Sequence, residues 1–212
     1  MKKKFACFLA AAASLTLLAG CEKVDKEKYV GNSSSSSEIS SSDLGSMAWT
    51  DMTFMLDQKT YTLPFEYKDI KETGWSFNPA AYGLENTSID PGLLLSRSVY
   101  LQNDNFDEGV LAVGFTNNKS EKVGIDDAVV WAVEVSSKDA AKAPEVVLPG
   151  NVKFGMTIDE IKAIYGEPSE EQRHDDEGYT EYRYVENGMK GLHLDFYDDG
   201  GFCKFIYENY NM

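Results

Sequence analysis

The stretch YTEYRYVENGMKGLHLDFYDDGGFCKFIYE, residues 179–208, holds three runs in which apolar and polar side chains alternate: Tyr179 to Val185, Lys190 to Tyr197 and Phe202 to Glu208. A period of two puts one set of side chains on a core and the other toward solvent, so the spacing predicts three half-buried antiparallel strands. A one-residue slip would turn every side chain over, and the turns therefore decide the register. A two-residue turn at Asp199-Gly200 sets Phe196 opposite Cys203, Leu194 opposite Phe205 and Leu192 opposite Tyr207, with all six on one predicted core face. At Glu186-Asn187-Gly188 a two-residue turn would set Arg183 opposite Leu192 and bury a charge. A three-residue loop with Gly188 left-handed, which sets Tyr182 opposite Leu192, is the expectation instead.

Upstream of these strands, Thr157-Ile158-Asp159-Glu160 is a capping box, followed by the apolar positions Ile158, Ile161 and Ile164 or Tyr165 and stopped by Gly166 and Pro168. It predicts a short helix laid on the sheet, with Ser169 to Gly178 a polar loop behind it. Working further back, Leu111 to Phe115 alternates as Leu192 to Phe196 does, Leu63-Pro64 returns as Leu148-Pro149, and Asp69-Ile70-Lys71 returns as Glu160-Ile161-Lys162. The offsets are about 80 to 90 residues, as loop insertions between two copies of one unit would leave them. In the first copy, Tyr67 to Thr73 reads as a short helix stopped by Gly74, and Leu93 to Leu101, Val110 to Phe115 and Ala128 to Val135 read as strands. The fold expected from sequence is therefore α+β: two tandem repeats, 47–144 and 145–212, each a short helix with an antiparallel meander.

The segment Phe154-Gly155-Met156-Thr157 through Gly166-Glu167-Pro168 resembles the G-M-T, E, aliphatic, G-x-P stretch that opens the small α+β modules of BamE/SmpA-like envelope lipoproteins. The same unit, duplicated, is the plan of β-lactamase inhibitor protein-like domains. That resemblance implies short helices against a curved antiparallel sheet used to hold protein partners. The first copy departs from it, having no G-M-T before Tyr67 and no G-x-P after Thr73.

At the other end, Lys2 to Lys4, the apolar run Phe5 to Leu18 and then Leu18-Ala19-Gly20-Cys21 have the three-part layout of a bacterial export signal. The small residues before cysteine resemble the lipobox of bacterial lipoproteins, which implies that 1–21 is a signal peptide and Cys21 the lipid-modified residue. Glu22 to Ser46 turns to Lys, Glu and Asp and then to the serine runs Ser33 to Ser37 and Ser40 to Ser42. Such a composition cannot bury a core, so 22–46 is expected to be a flexible tether reaching about 25 to 30 Å. Once Cys7 is cleaved away and Cys21 modified, Cys203 is left without a disulfide partner and is expected to be a buried structural thiol.

Of 212 residues, 35 are Asp or Glu and 20 are Lys or Arg, for a formal charge of -15. Removal of a leader that holds three lysines and no acid makes the chain more negative still. That sign argues against nucleic acid and against charge-driven docking on anionic lipid, leaving the lipid on Cys21 as the link to a membrane. No nucleophile with an adjacent base, phosphate cradle or spaced metal-ligand set stands out, so neither enzymatic activity nor a cofactor or metal is expected. His174 lies among Asp175, Asp176 and Glu177, and His193 shares strand alternation with Asp195, half of a triad without its nucleophile. Two sets of residues are the candidate binding positions. One is the aromatic stretch Trp75 to Gly92, with Trp75, Phe77 and Tyr82, readable as a binding loop or as packing over a sheet edge. The other lies on the strands: the face of His193, Asp195 and Tyr197, or the aromatics Tyr179, Tyr182 and Tyr184, either of which, if open, offers a tyrosine-rich and acid-rimmed surface suited to a basic or neutral protein. The functional expectation is a lipid-anchored, extracytoplasmic, non-catalytic cell-envelope protein that binds another protein; the alternative is a lipoprotein that captures a solute or wall fragment.

Overall fold

The computed structural model describes residues 41–85, 88–199 and 201–211. The leader, Cys21 and the greater part of the 22–46 tether lie outside the described residues. The described chain begins with one helical turn, α1 (Ser41–Leu44), whose Leu44 is fully buried against Met55 and Val147. The strands that follow are β1 (Thr53–Leu56), β2 (Lys59–Thr62), β3 (Phe65–Glu66), β4 (Ser88–Ile89), β5 (Val99–Leu101), β6 (Leu111–Thr116), β7 (Val123–Gly124), β8 (Val129–Ser136), β9 (Val146–Val147), β10 (Glu170–His174), β11 (Tyr179–Glu186), β12 (Lys190–Tyr197) and β13 (Gly201–Asn209). Two further short helices, α2 (Tyr67–Lys71) and α3 (Ile158–Tyr165), lie among them.

Eight of these strands make one sheet in the order β10-β11-β12-β13-β8-β6-β5, with β3 pairing β8. Every pairing in it is antiparallel. The Val-rich β8 is the centre, bonded to β13 on one side and to β6 on the other, as β-branched residues favour. A smaller sheet, β2-β1-β9, lies against it through Phe54, whose ring is 5.8 Å from Phe205 and 6.3 Å from Tyr207.

This architecture overturns the expected α+β pair of repeats. The protein is mostly β, and its large sheet runs without a break from the C-terminal hairpins through β8 into β6 and β5. The likeness between Leu111–Phe115 and Leu192–Phe196 is the alternation that any two strands of one sheet share, because both must put the same parity of side chain on the same core. The helices stand where expected, yet they are minor covers on that core. In α3 the Thr157 hydroxyl accepts from the Glu160 N–H at 3.3 Å and Glu160 accepts from the Thr157 N–H at 2.8 Å, while Ile161 is fully buried. In α2, Tyr67 and Ile70 are buried and Tyr67 meets Phe115 edge-on at 5.2 Å.

The register is read correctly at Leu192–Tyr207 and Leu194–Phe205. It differs at the turn, where Tyr197 pairs Gly201 across a three-residue loop and Phe196 faces Phe202 instead of Cys203. Cys203 is the extra residue of a β-bulge, and its insertion lets Phe202 and Phe205, three apart in sequence, both enter the core. At the other hairpin the loop is three residues, but it is Asn187-Gly188-Met189, so Tyr184 and not Tyr182 faces Leu192. Asn187 and Gly188 both have positive φ, which asparagine and glycine accept most readily. Arg183 stands beside His193 on the other side of the sheet, and the charge stays out of the core as the turn argument required. The segment read as a polar loop contains β10, an edge strand with no apolar residue to announce it.

Candidate functional site

With Leu192, Leu194, Phe205, Tyr207, Val133, Val135, Leu111 and Val113 turned into the core, alternation sends the intervening residues to the opposite, outer face of the large sheet. Cross-strand pairing then lines them up in rows. One row runs Arg183, His193, Ile206, Glu134, Ala112, Tyr100. The next runs Glu181, Asp195, Lys204, Ser136, and the last pairs Tyr179 with Tyr197. The first of these rows presents Tyr100 at 46% exposure, and the Arg183 side chain is 33% exposed.

Between them lies a bonded network of charges. Glu181 is only 6% exposed and accepts from His193 Nδ1 at 2.7 Å and from Arg183 Nη2 at 2.7 Å, with His174 Nε2 at 3.6 Å. Burial works against its charge, but Arg183 and His193 outweigh it and hold the carboxyl at about 2. Asp195 is 2% exposed and faces Lys204 at 3.3 Å; burial pushes its carboxyl up, with Lys204 opposing. Lys204 is also 3.2 Å from Glu134, and the two acids hold its ammonium charged above the usual range although burial opposes them. On β13, Glu208 lies 3.7 Å from His193 Nε2 and 3.3 Å from Arg97 Nε. The half-triad seen in sequence is thus resolved differently: His193 bonds Glu181 on the neighbouring strand and not Asp195 on its own. Both of its ring nitrogens face carboxylates, which makes the imidazole a strut between two strands and directs neither nitrogen at a nucleophile.

One corner of the face is closed by the chain before β5. Trp131 donates to the Leu95 carbonyl at 3.0 Å and its ring meets Tyr210 at 4.8 Å. A Cβ at Gly114 would lie 2.7 Å from the Trp131 Nε1, so only glycine permits that approach.

Of the expected binding residues, the fold brings Tyr179, His193 and Tyr197 together on the outer face. It does not bring Trp75, Phe77 and Tyr82 to them. Trp75 is buried and stacked on Phe106 at 5.2 Å, and Phe77 packs on Tyr67 and Phe115. Tyr82 is 37% exposed and its hydroxyl accepts from the Tyr100 N–H at 3.0 Å. The stretch from Trp75 therefore packs at the sheet edge. Glu181, Lys204 and Glu208 were not singled out in sequence and Arg183 was read only as a charge to keep out of the core, because what unites them is pairing across β11, β12, β13 and β8; Arg97, before β5, joins them only through Glu208. The one available signal was parity: Glu181 and Arg183 alternate with Tyr182 and Tyr184. Cys203 is buried in its bulge, and burial pushes its thiol up, away from reactivity. Among the described residues no group of three or more His, Cys, Asp or Glu is placed to hold a metal ion. No family model matches the chain, and neither a curated protein nor a solved structure matches it.

Proposed function

We propose that this chain is a lipid-anchored, non-catalytic cell-envelope protein that docks another protein on the outer face of its large sheet, facing the extracytoplasmic side. The observation that carries the reading is the character of that face. Arginine and tyrosine, the side chains most often decisive at protein interfaces, stand part-exposed on or beside the sheet, Tyr100 and Arg183 on it and Arg97 just before β5, and both arginines are held in place by ion pairs with Glu181 and Glu208. A preorganised surface of this kind loses little side-chain entropy on association. The bond of His193 Nδ1 to the buried Glu181 supports a structural role for that imidazole. The anchor rests on Lys2 to Lys4, the apolar run to Leu18 and the Leu18-Ala19-Gly20-Cys21 junction, and the wider envelope assignment on the likeness of Phe154 to Pro168 to BamE/SmpA-like modules.

Cross-linking capture from detergent extracts of the protein's own envelope tests the reading. The full chain should retain one protein partner, and Arg183→Glu and Tyr100→Ala should each lower its recovery about tenfold or more, as truncated hot spots do. Equal recovery by both variants would place docking elsewhere. In the same extracts Cys21→Ser should release the chain from the membrane fraction.

A further inference from the structure

At the corner closed by Trp131 and Tyr210 lies a cavity of about 360 Å³, whose walls include Gly92, Leu94, Thr116, Asn118, Lys119 and Tyr210. Those walls are tied from several sides. Leu94 pairs with Thr116 in a β-bridge, the Thr116 hydroxyl donates to the Leu93 carbonyl at 3.0 Å, and the Gly92 N–H donates to the Asn117 carbonyl at 2.8 Å. Asn117 is 1% exposed; its amide nitrogen donates to the Ile89 and Glu121 carbonyls at 2.9 and 2.6 Å, and its Oδ1 accepts from the Lys119 N–H at 2.9 Å, which fixes the turn that carries Asn118 and Lys119. Tyr210 is held by its ring on Trp131 at 4.8 Å and by its N–H on the Met189 carbonyl at 2.8 Å. Within this fixed frame two large apolar side chains are left in water, Leu94 at 41% and Tyr210 at 40% exposure. One cation beside them is left without an acid: Lys119 makes no ion pair among the described residues, while its neighbour Lys122 is taken by Asp90 at 2.8 Å.

A preformed cavity with apolar walls and a few placed polar groups is the usual form of a small-ligand site, and this one is at the small end of the range. We propose that it binds an amino-acid-sized monocarboxylic acid with an apolar body, the body covering Leu94 and Tyr210 and the carboxylate meeting Lys119 and the Asn118 amide. Covering the two apolar side chains supplies the non-directional part of the attraction, and the ammonium supplies a charge-assisted bond that orients the ligand. The chain's 35 acids against 20 bases repel anions at long range, so a ligand with several negative charges is turned away and one whose single charge Lys119 meets is admitted. Two sources carry that chemistry: a free solute, and the last residue of a protein chain, which holds both groups on one residue. The site shares no residue with Arg183 and Tyr100, so the inference does not rest on the docking reading above.

The test titrates N-acetyl-leucine into the detergent-solubilised full chain and follows the backbone amide resonances of Gly92, Asn118 and Lys119. Saturable shifts with a Kd on the order of millimolar are expected for so small a ligand, weakening as salt is added. N-acetyl-leucinamide, which keeps the apolar body and loses the charge, should bind about fivefold more weakly or worse. Lys119→Gln should weaken the acid by a similar factor and leave the amide unchanged, whereas Leu94→Ser should weaken both; the two side chains are exposed, so neither change opens the core. An acetylated Ala-Ala-Leu peptide separates the sources: binding about tenfold tighter than that of N-acetyl-leucine assigns the pocket to a chain end, and equal binding assigns it to a free solute. Absence of saturable shifts, an amide that binds as well as the acid, or indifference to Lys119→Gln overturns the proposal. Arg183→Glu should leave binding unchanged, so this pocket and the docking reading fail separately.

Discussion

The two faces of the β11–β12–β13 part of the sheet are built from the same three strands and bury their side chains by opposite means. On one face Leu192, Leu194, Phe205 and Tyr207 are removed from water by apolar packing against β1 and the helices. On the other, Asp195 and Glu181 are almost as inaccessible, but they are covered by the charged side chains that pair with them. The first kind of burial is driven by the area it removes from water and needs little angular precision. The second returns little net stability, because each ion is desolvated, yet it fixes where every side chain points. One face holds the fold together, and the other holds a surface in one shape.

That contrast can be broken by substitution. The largest effect should come from the apolar side: Leu194→Ala is expected to cost about 2 to 5 kcal/mol in a denaturant titration, the range for deleting a fully buried leucine. A smaller loss, about 1 to 3 kcal/mol, is expected for Lys204→Met, which leaves the buried Asp195 carboxylate without its cation. Adding Asp195→Asn to that variant should recover part of the loss, and a double-mutant cycle measures how much of it belonged to the stranded charge. If Lys204→Met costs as much as Leu194→Ala, the outer face is a second core and the contrast is false. The smallest effect is in pH dependence. Glu181 is held at about 2 in the folded chain against an ordinary value near 4.5, so its contribution is in place above about pH 4.5 and fades as pH falls toward 2. Thermal melts across that window should show a shallower acid decline for Glu181→Gln than for the wild type. Identical slopes would mean that the pairing of Glu181 with His193 and Arg183 contributes nothing to stability.

The legibility of the sequence divides along the same line. Where burial is apolar and local it was readable: the strands from Tyr179 to Glu208, the two pairings at Leu192 and Leu194, the Thr157 cap and the two helices. The bulge at Cys203 was not, because Asp198-Asp199-Gly200-Gly201 suits a two- or a three-residue loop equally and only the shape of the core chooses. β10 escaped because an edge strand made of Glu, Glu, Gln, Arg and His has no apolar period to detect. The continuity of the sheet escaped for a deeper reason: alternation says which way a side chain points and nothing about which strand lies beside it, so β8 standing between β13 and β6 left no local trace. Of the site, His193 and Tyr197 were legible by parity and Tyr179 only as one of a run of aromatics, while the carboxylate that bonds His193, Glu181, is on another strand from His193 and Asp195.

The position of Leu44 has a mechanical consequence. It joins the described fold on the side of the small sheet that carries Met55 and Val147, and the outer face of the large sheet is the surface turned the other way. A pull entering at Ser41 therefore acts on the fold from the side opposite that outer face. The first contact to feel it is the seat of Leu44 on Met55 and Val147, with the seam of Phe54, Phe205 and Tyr207 behind it.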